Sequence, residues 1–487
     1  MRVLLTGATG YIGRRLKDQL LLRDDISLRL LVRNKTKLRS STLNNAKVEV
    51  VEGDTFNTDI LVQSLRDVDV AYYLIHSMKA KGGDYEDLDR RSAENFREAC
   101  IKSGVKRIIY LGGLGVKETA SKHLLSRIET GELLSARPEA IQTVWLRAGV
   151  IIGAGSASFE IIRNLTQKLP VMITPRWVNT LTQPIGVRDV LRYLEAAIDL
   201  KETANLIVDI GAEPMPFKDM LIQAGQVMGL RRWILPVPLL TPRLSSYWMI
   251  LFTPVHYDLA AALVEGLKSE TVIQNDNAAR FFEEIKPQSY RESVFAALNE
   301  LEHDEVISRW CDSSNEDVCD IREMDDTGKA ILRDRRYRQS PGKCANPMCL
   351  FEAACELGGD MGWGRYDFLW HLRGLIDKLL GGYGLNRGRR NGLSLRHGDA
   401  LDFWKVADIQ PGKRLLLVAQ MKLPGKAWLE FVVDDGGITQ TAHFLPRGLW
   451  GRLYWWLAMP FHHLVFSDLA DKVVERARGL ARKSRWT

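Results

Sequence analysis

At 487 residues the chain exceeds what one hydrophobic core sustains, and a prior of ~150 residues per domain predicts two to four units. Hydrophobic residues make up 46% and charged residues 26%, a balance that excludes a disordered, collagen-like or disulfide-scaffolded chain. The net charge of +7 comes from interleaved acids and bases instead of one long basic tract, which argues against nucleic acid as a partner.

Cysteines at 100, 311, 319, 344, 349 and 355 form no C-x-x-C pair and have no histidine at zinc-finger spacing, so they read as reduced packing thiols and predict a cytoplasmic protein without a metal site. The chain opens directly on a strand pattern at Arg2, and no secretory leader is expected. Two apolar stretches, 233–255 and 449–466, are broken by prolines and arginines, and neither reads as a membrane span. The basic tail from Arg476 to Arg485, with Arg478, Arg482 and Lys483, has two readings: peripheral contact with acidic headgroups at the inner face of a membrane, or a solvated helix end.

In chain order, short β-branched and leucine-rich runs alternate with helix-length segments. The predicted strands are 3–6, 28–32, 48–51, 70–75, 107–111, 143–146 and 206–210, an alternation that predicts βαβ units and a doubly wound, mostly parallel sheet. Between the first two strands lies Thr6-Gly7-Ala8-Thr9-Gly10-Tyr11-Ile12-Gly13, followed by Leu16 and Leu20 at helical spacing from Ile12. Glycines at such a strand-to-helix turn permit a tight turn at Gly7, a close backbone approach to a pyrophosphate at Gly10, and close helix–strand packing at Gly13. The N-terminus of the following helix attracts negative charge. The loop residues Gly7, Thr9, Gly10, Tyr11, Ile12, Gly13 and Arg14 are therefore the expected dinucleotide contacts.

Arg33 ends the second strand at the ~20-residue offset where an NAD enzyme places an acid for the ribose 2′-hydroxyl. A cation there suits a 2′-phosphate, so NADP(H) is the expected cofactor, with Arg14 as a second cation and Asp54 toward the adenine. These segments, with Glu52-Gly53-Asp54, resemble the atypical, extended short-chain dehydrogenase/reductases, including the NmrA-like group, over roughly residues 1–300. Tyr73-Leu74-Ile75-His76-Ser77-Met78 is similar to that family's fourth-strand end, which lies against the cofactor and adds Ile75 and His76 to the expected contacts. Gln183-Pro184-Ile185-Gly186-Val187-Arg188-Asp189-Val190 is similar to its later P-I-x-V-x-D-V segment.

The resemblance implies a Tyr-x-x-x-Lys pair and a serine after the fifth strand, and here the chain departs from the pattern. Glycines 112 and 113 occupy the serine's place, and His123 and Arg127 take the i and i+4 positions of the pair. Those positions share a helix face, so His123 and Arg127 are the candidate catalytic residues; the alternative is a helix whose catalytic pair has been lost.

The expected layout is a Rossmann domain over 1–214, a helical substrate or lid region over 215–310 and a linker over 311–328. An α+β domain over 329–487 follows, with helices over 347–357 and 366–380, strands over 414–421 and 427–433, and a final helix from about Pro460. Its segments Leu401-Asp402-Phe403-Trp404, 421–431 and 444–451 resemble an uncharacterised domain fused behind such reductases, whose layout is similar to START-like helix-grip folds. That resemblance implies a lipid-like ligand. Trp404, Trp428, Trp450, Trp455 and Trp456 read as core, and His462-His463 as packing at a helix start. Three functions are carried forward: an NADP(H)-dependent oxidoreductase acting on an apolar small molecule, a non-catalytic NADP(H)-binding sensor or assembly factor, and a lipid carrier.

Overall fold

The computed structural model describes residues 1–35, 38, 40–75, 85–236, 265–266, 269–302, 331–340, 347–359, 362–379, 384, 395, 399–434 and 436–483. They fall into two compact units, residues 1–302 and residues 331–483.

In the first unit the strands are β1 (Arg2–Thr6), β2 (Ser27–Val32), β3 (Val48–Glu52), β4 (Val70–Tyr73), β5 (Arg107–Gly113) and β6 (Gln142–Ala148). Short strands β7 (Ile151–Ile152), β8 (Val171–Thr174), β9 (Leu181–Thr182) and β10 (Ile185–Gly186) precede β11 (Leu206–Ile210), and β12 (Met215–Pro216) and β13 (Trp233–Pro236) follow. The helices are α1 (Tyr11–Leu20), α2 (Ser40–Leu43), α3 (Thr58–Ser64), α4 (Tyr85–Lys102), α5 (Lys122–Leu134), α6 (Ala157–Lys168), α7 (Val187–Ala196), α8 (Phe217–Val227), α9 (Asn277–Phe281) and α10 (Tyr290–Glu302).

Seven strands form one sheet in the order β3-β2-β1-β4-β5-β6-β11, and every neighbouring pair is parallel. All seven are those expected from the sequence, because parallel strands covered on both faces are mostly apolar and stand out as short runs, with β3 at the sheet edge carrying Glu49 and Glu52. Alternation along β1 sends Val3 and Leu5 into a core with α1 and α7, while Leu4 joins Leu61, Phe96 and Ile128 of α3, α4 and α5. Helices therefore cover both faces, which is the doubly wound arrangement. The sequence pattern missed the short pairs β7–β10, β9–β12 and β8–β13, whose strands of two to four residues are too brief for a periodicity to register.

The second unit is a six-stranded sheet of β14 (Leu332–Gln339), β15 (Ala400–Leu401), β16 (Trp404–Gln410), β17 (Arg414–Ala419), β18 (Gly425–Asp434) and β19 (Gly437–Pro446). Its order is β14-β19-β18-β17-β16-β15, antiparallel throughout. Helices α11 (Pro347–Cys355), α12 (Asp367–Leu379) and α13 (Gly448–Lys483) accompany it. Leu429 and Phe431 of β18 share a core with Leu350 of α11, Trp370 of α12 and Leu469 and Val473 of α13. Cys355 lies in that core as a packing thiol, while Cys344 lies outside the described residues.

Two expectations for this unit are corrected. The final helix begins at Gly448 and carries Pro460 inside it, because Gly451, Trp455 and Phe466 recur at helical spacing and are buried along one face. Anchored there by Trp455 stacked on Phe444 at 5.7 Å, the helix tolerates the one hydrogen bond that Pro460 removes. Trp404, Trp428 and Trp455 are core as expected, but Trp450 and Trp456 are exposed on the opposite face of α13.

His462 consequently sits mid-helix, its ring 5.0 Å from Trp455 and 4.8 Å from Phe466. Burial pushes its pKa down from the usual 6.5 to about 4. The unfolded chain takes up this proton below pH 6.5, whereas the folded chain refuses it until about pH 4. Stability contributed here is thus complete above pH 6.5 and is lost as pH falls from 6.5 toward 4. Chemical denaturation of the intact chain at stepped pH should show a loss on the order of 3 kcal/mol across that window, largely absent in His462→Gln.

Candidate functional site

The loop between β1 and α1 lies where the strand order reverses, β1 pairing β2 on one side and β4 on the other, the place where open α/β sheets bind ligands. Thr6 ties these ends together: its hydroxyl donates to the Tyr72 carbonyl at 2.8 Å and accepts the Leu74 N–H at 3.1 Å. Gly7 adopts φ +69°, and a Cβ there would lie 2.4 Å from the Leu74 carbonyl oxygen. A Cβ on Gly13 would lie 2.1 Å from the Gly7 carbonyl oxygen, the same oxygen that accepts the Gly10 N–H at 2.8 Å.

Gly10 differs from both. Among the described residues a Cβ there would meet only that oxygen, at 3.2 Å, leaving open space beyond it. Helix α1 starts with no side-chain cap and no acidic residue in its first turn, leaving its positive end directed at that space. This cradle fits a pyrophosphate.

The flanking residues divide by role. Thr9 offers its carbonyl to Arg14 Nε at 3.1 Å, so Arg14 folds back over the loop. Tyr11 turns away from it: its hydroxyl donates to the Ala154 carbonyl at 3.2 Å, and burial pushes its phenol pKa well up. Ile12 packs on the core beneath the sheet. Arg33 is exposed one residue beyond β2, whose Val32 carbonyl accepts the Gly53 N–H at 2.9 Å, so Arg33 and Asp54 flank one strand end. Asp54 Oδ1 accepts the N–H groups of Phe56 and Asn57 at 2.9 and 3.1 Å, shaping the turn into α3. Ile75 is half-buried just past β4, and His76, Ser77 and Met78 lie outside the described residues.

After β5 the glycines are there for packing. A Cβ on Gly112 would lie 2.3 Å from Trp145 Nε1, and one on Gly113 2.5 Å from Leu124 Cδ1 and 3.8 Å from Arg127 Cδ. Arg127 donates from its guanidinium to the Leu111 carbonyl at 3.0 Å and accepts the Tyr110 hydroxyl on its own carbonyl at 2.9 Å. It thus stands against the carboxyl end of β5. His123, half-buried, lies one turn earlier on the same helix, which Ser121 caps through the Leu124 N–H at 3.3 Å. Burial of Tyr110 raises its phenol pKa and identifies it as core.

Sequence reasoning missed the partners that hold this site. Arg15, beside the loop, forms a buried ion pair with Glu300 of α10, and no local signal links residues 285 positions apart. Asp189 of the P-I-x-V-x-D-V-like segment is buried and accepts the Gln288 N–H at 2.8 Å. The preceding Gln183 accepts the Ile273 N–H at 3.0 Å.

Residues 7–144 match a protein-family model described as NAD(P)H-binding. The amino-terminal unit thus carries a segment similar to NAD(P)H-binding proteins. Residues 327–469 match the model of a protein family of unknown function, DUF2867. The chain is 24% identical over 249 residues to a (4-alkanoyl-5-oxo-2,5-dihydrofuran-3-yl)methyl phosphate reductase of Streptomyces griseus, covering 48% of this chain and 83% of that enzyme. It is 23% identical over 265 residues to a UDP-glucose 4-epimerase of Vibrio cholerae, covering 49% of this chain and 79% of the epimerase. The solved structure of a Citrobacter triphenylmethane reductase matches with a TM-score of 0.50 at 19% identity, covering 61% of this chain and all of that one, a likeness of fold. The segment matching the NAD(P)H-binding model runs from Gly7, just after β1, into β6.

Proposed function

We propose that the protein is an NADP(H)-dependent oxidoreductase acting on an apolar small molecule. The observation that carries this reading is the phosphate cradle, in which Gly7 and Gly13 are locked by backbone contacts while, among the described residues, Gly10 faces open space. A nicotinamide dinucleotide held there supplies hydride exchange. Backbone groups of Gly10 to Gly13 would hold its pyrophosphate, and Arg14 and Arg33 its 2′-phosphate. His123 would deliver or accept the proton at the substrate oxygen, and Arg127 would position the ribose side.

Support for NADP(H) over NAD(H) is the sequence Arg33-Asn34-Lys35 after β2, with no acid among these three residues. Arg33→Ala removes a charge-assisted contact worth roughly 1.5–3 kcal/mol. Fluorescence titration should therefore find NADPH affinity about 10- to 100-fold lower, with NADH nearly unchanged. An equal loss for both dinucleotides would refute the 2′-phosphate role.

Support for an apolar substrate is the exposed cross-strand patch of Val171 and Ile173 on β8 with Trp233 and Leu235 on β13. The adjoining stretch 237–264, which the sequence reading assigned to a lid, lies outside the described residues. The antiparallel sheet and its 36-residue helix support the START-like reading of the second unit, with a lipid-like ligand.

Glycines 112 and 113 packed against Trp145 and Leu124 favour a second reading, a dinucleotide-binding sensor without turnover. Native mass spectrometry of the full chain separates the two: NADP(H) retained with a lipophilic molecule supports the oxidoreductase, and a dinucleotide alone supports the sensor. Once a substrate is found, His123→Ala should lower turnover by roughly 100-fold or more at unchanged dinucleotide affinity. Unchanged turnover would remove His123 from the mechanism.

A further inference from the structure

A surface helix of a water-soluble unit is expected to bury one apolar stripe and present polar residues on the opposite face. Helix α13 breaks that rule in its first half only. Its buried stripe carries Gly451, Trp455 and Phe466, yet the solvent side carries Leu449, Trp450, Leu453, Trp456, Leu457 and Phe461. Leu449, Trp450 and Trp456 are 82%, 77% and 72% exposed. Beyond Leu464 the ordinary pattern returns, with Leu469, Val473 and Ala477 buried and Asp471, Glu475 and Arg478 exposed.

Helix α12 repeats the anomaly. Phe368, Leu372, Leu375 and Leu379, at spacings of four, three and four, are all exposed. Both helices border the turn between β17 and β18. Asp377 of α12 accepts the Lys422 N–H at 2.7 Å, Arg373 donates to the Lys422 carbonyl at 3.2 Å, and the Arg447 N–H at the start of α13 donates to the Pro424 carbonyl at 2.9 Å.

Charge selects the occupant of this face. From Arg447 through Phe466 the only charged residues are Arg447 and Arg452, both exposed, and Asp468 is the first acid. Lys422 and Lys426 add exposed cations on the bordering turn and strand. Exposed Trp, Leu and Phe bordered by cations, with no acid between Arg447 and Phe466 and with Asp367 of α12 paired with His371 at 3.1 Å, match an anionic lipid interface. Tryptophan favours that depth, because its ring is apolar and its N–H needs a wet partner. No helix among the described residues is long and apolar enough to cross a membrane, so the contact would be peripheral.

We propose that the exposed faces of α12 and the first half of α13 dock the protein on an anionic phospholipid surface. Arg476, at the start of the basic tail, donates to the Glu356 carbonyl at 3.2 Å. The inference stands independently of the reading of the dinucleotide site.

The test is co-sedimentation of the full-length protein with vesicles of phosphatidylcholine alone and of phosphatidylcholine mixed with phosphatidylglycerol. The expected result is binding to the mixed vesicles, weakened by salt because surface charges are screened, and at least tenfold weaker for the double variant Trp450→Asp/Trp456→Asp. Both positions are exposed, so the variant should melt as the wild type does. The proposal is overturned if the wild type stays in solution with both vesicle types, or if the variant binds as tightly as the wild type. It is equally overturned if sedimentation shows a dimer without vesicle binding that the variant dissociates, since the face would then join two copies of this chain.

Discussion

Replacing Gly13 with alanine is expected to abolish dinucleotide binding while leaving the chain folded. The new Cβ would lie 2.1 Å from the Gly7 carbonyl oxygen, 2.7 Å from the Gly7 carbonyl carbon and 3.0 Å from the Ala8 Cα, all backbone atoms that no side-chain rotation can clear. Relief requires that the Gly7 carbonyl move, and with it the 2.8 Å hydrogen bond from the Gly10 N–H that sets the shape of the cradle. Overpacking of this kind costs about 1–3 kcal/mol of stability. The loss of affinity should be larger, about 100-fold or more, because every backbone donor aimed at the pyrophosphate is displaced together. Gly10→Ala supplies the contrast. Among the described residues its Cβ meets one atom, at 3.2 Å, so stability should hardly change, but the methyl group projects into the ligand's space and affinity should still fall. Isothermal titration beside thermal melts checks both; a Gly13→Ala protein that binds within twofold of wild type would show that the loop does not grip the cofactor.

How far the sequence carried this architecture depends on the range of the interactions that specify it. The seven sheet strands and the turn from Gly7 to Gly13 were legible because each is written in a short window: mostly apolar runs for buried parallel strands, and glycines where backbone meets backbone. Roles that depend on side-chain direction were less legible. Tyr11 lies within the motif, but its hydroxyl goes to Ala154, and Asp54 uses one carboxylate oxygen to form the turn before Asn57. In the second unit the apolar run around Trp450 and Trp456 was read as core because hydrophobicity reports preference for burial and is silent on which face finds a partner. Placing the helix start at Pro460 hid that asymmetry, since the stripe through Gly451, Trp455 and Phe466 becomes visible only when the helix starts at Gly448.

The longest-range contact at the site should also be the most expensive to cut. The Arg15 and Glu300 side chains are 4% and 8% exposed, and Arg15 also donates to the Ala154 carbonyl at 2.9 Å and stands 5.0 Å over the Tyr11 ring. Glu300→Leu removes a buried counter-charge from the Arg15 guanidinium, a loss of about 3–5 kcal/mol. For a unit of this size that corresponds to a fall in Tm of roughly 6–15 °C. Because Arg15 belongs to the helix whose first turn faces the cradle, dinucleotide affinity should fall too, and saturating dinucleotide should raise the variant's Tm by mass action. The double variant Arg15→Met/Glu300→Leu should recover much of the stability, since an apolar pair of similar volume no longer carries a buried charge. Scanning calorimetry of the wild type, both single variants and the double variant closes the cycle. If Glu300→Leu melts with the wild type, α1 is held by its apolar packing alone; a strongly favourable coupling energy instead identifies the ion pair as the strut that keeps the phosphate-binding turn in place.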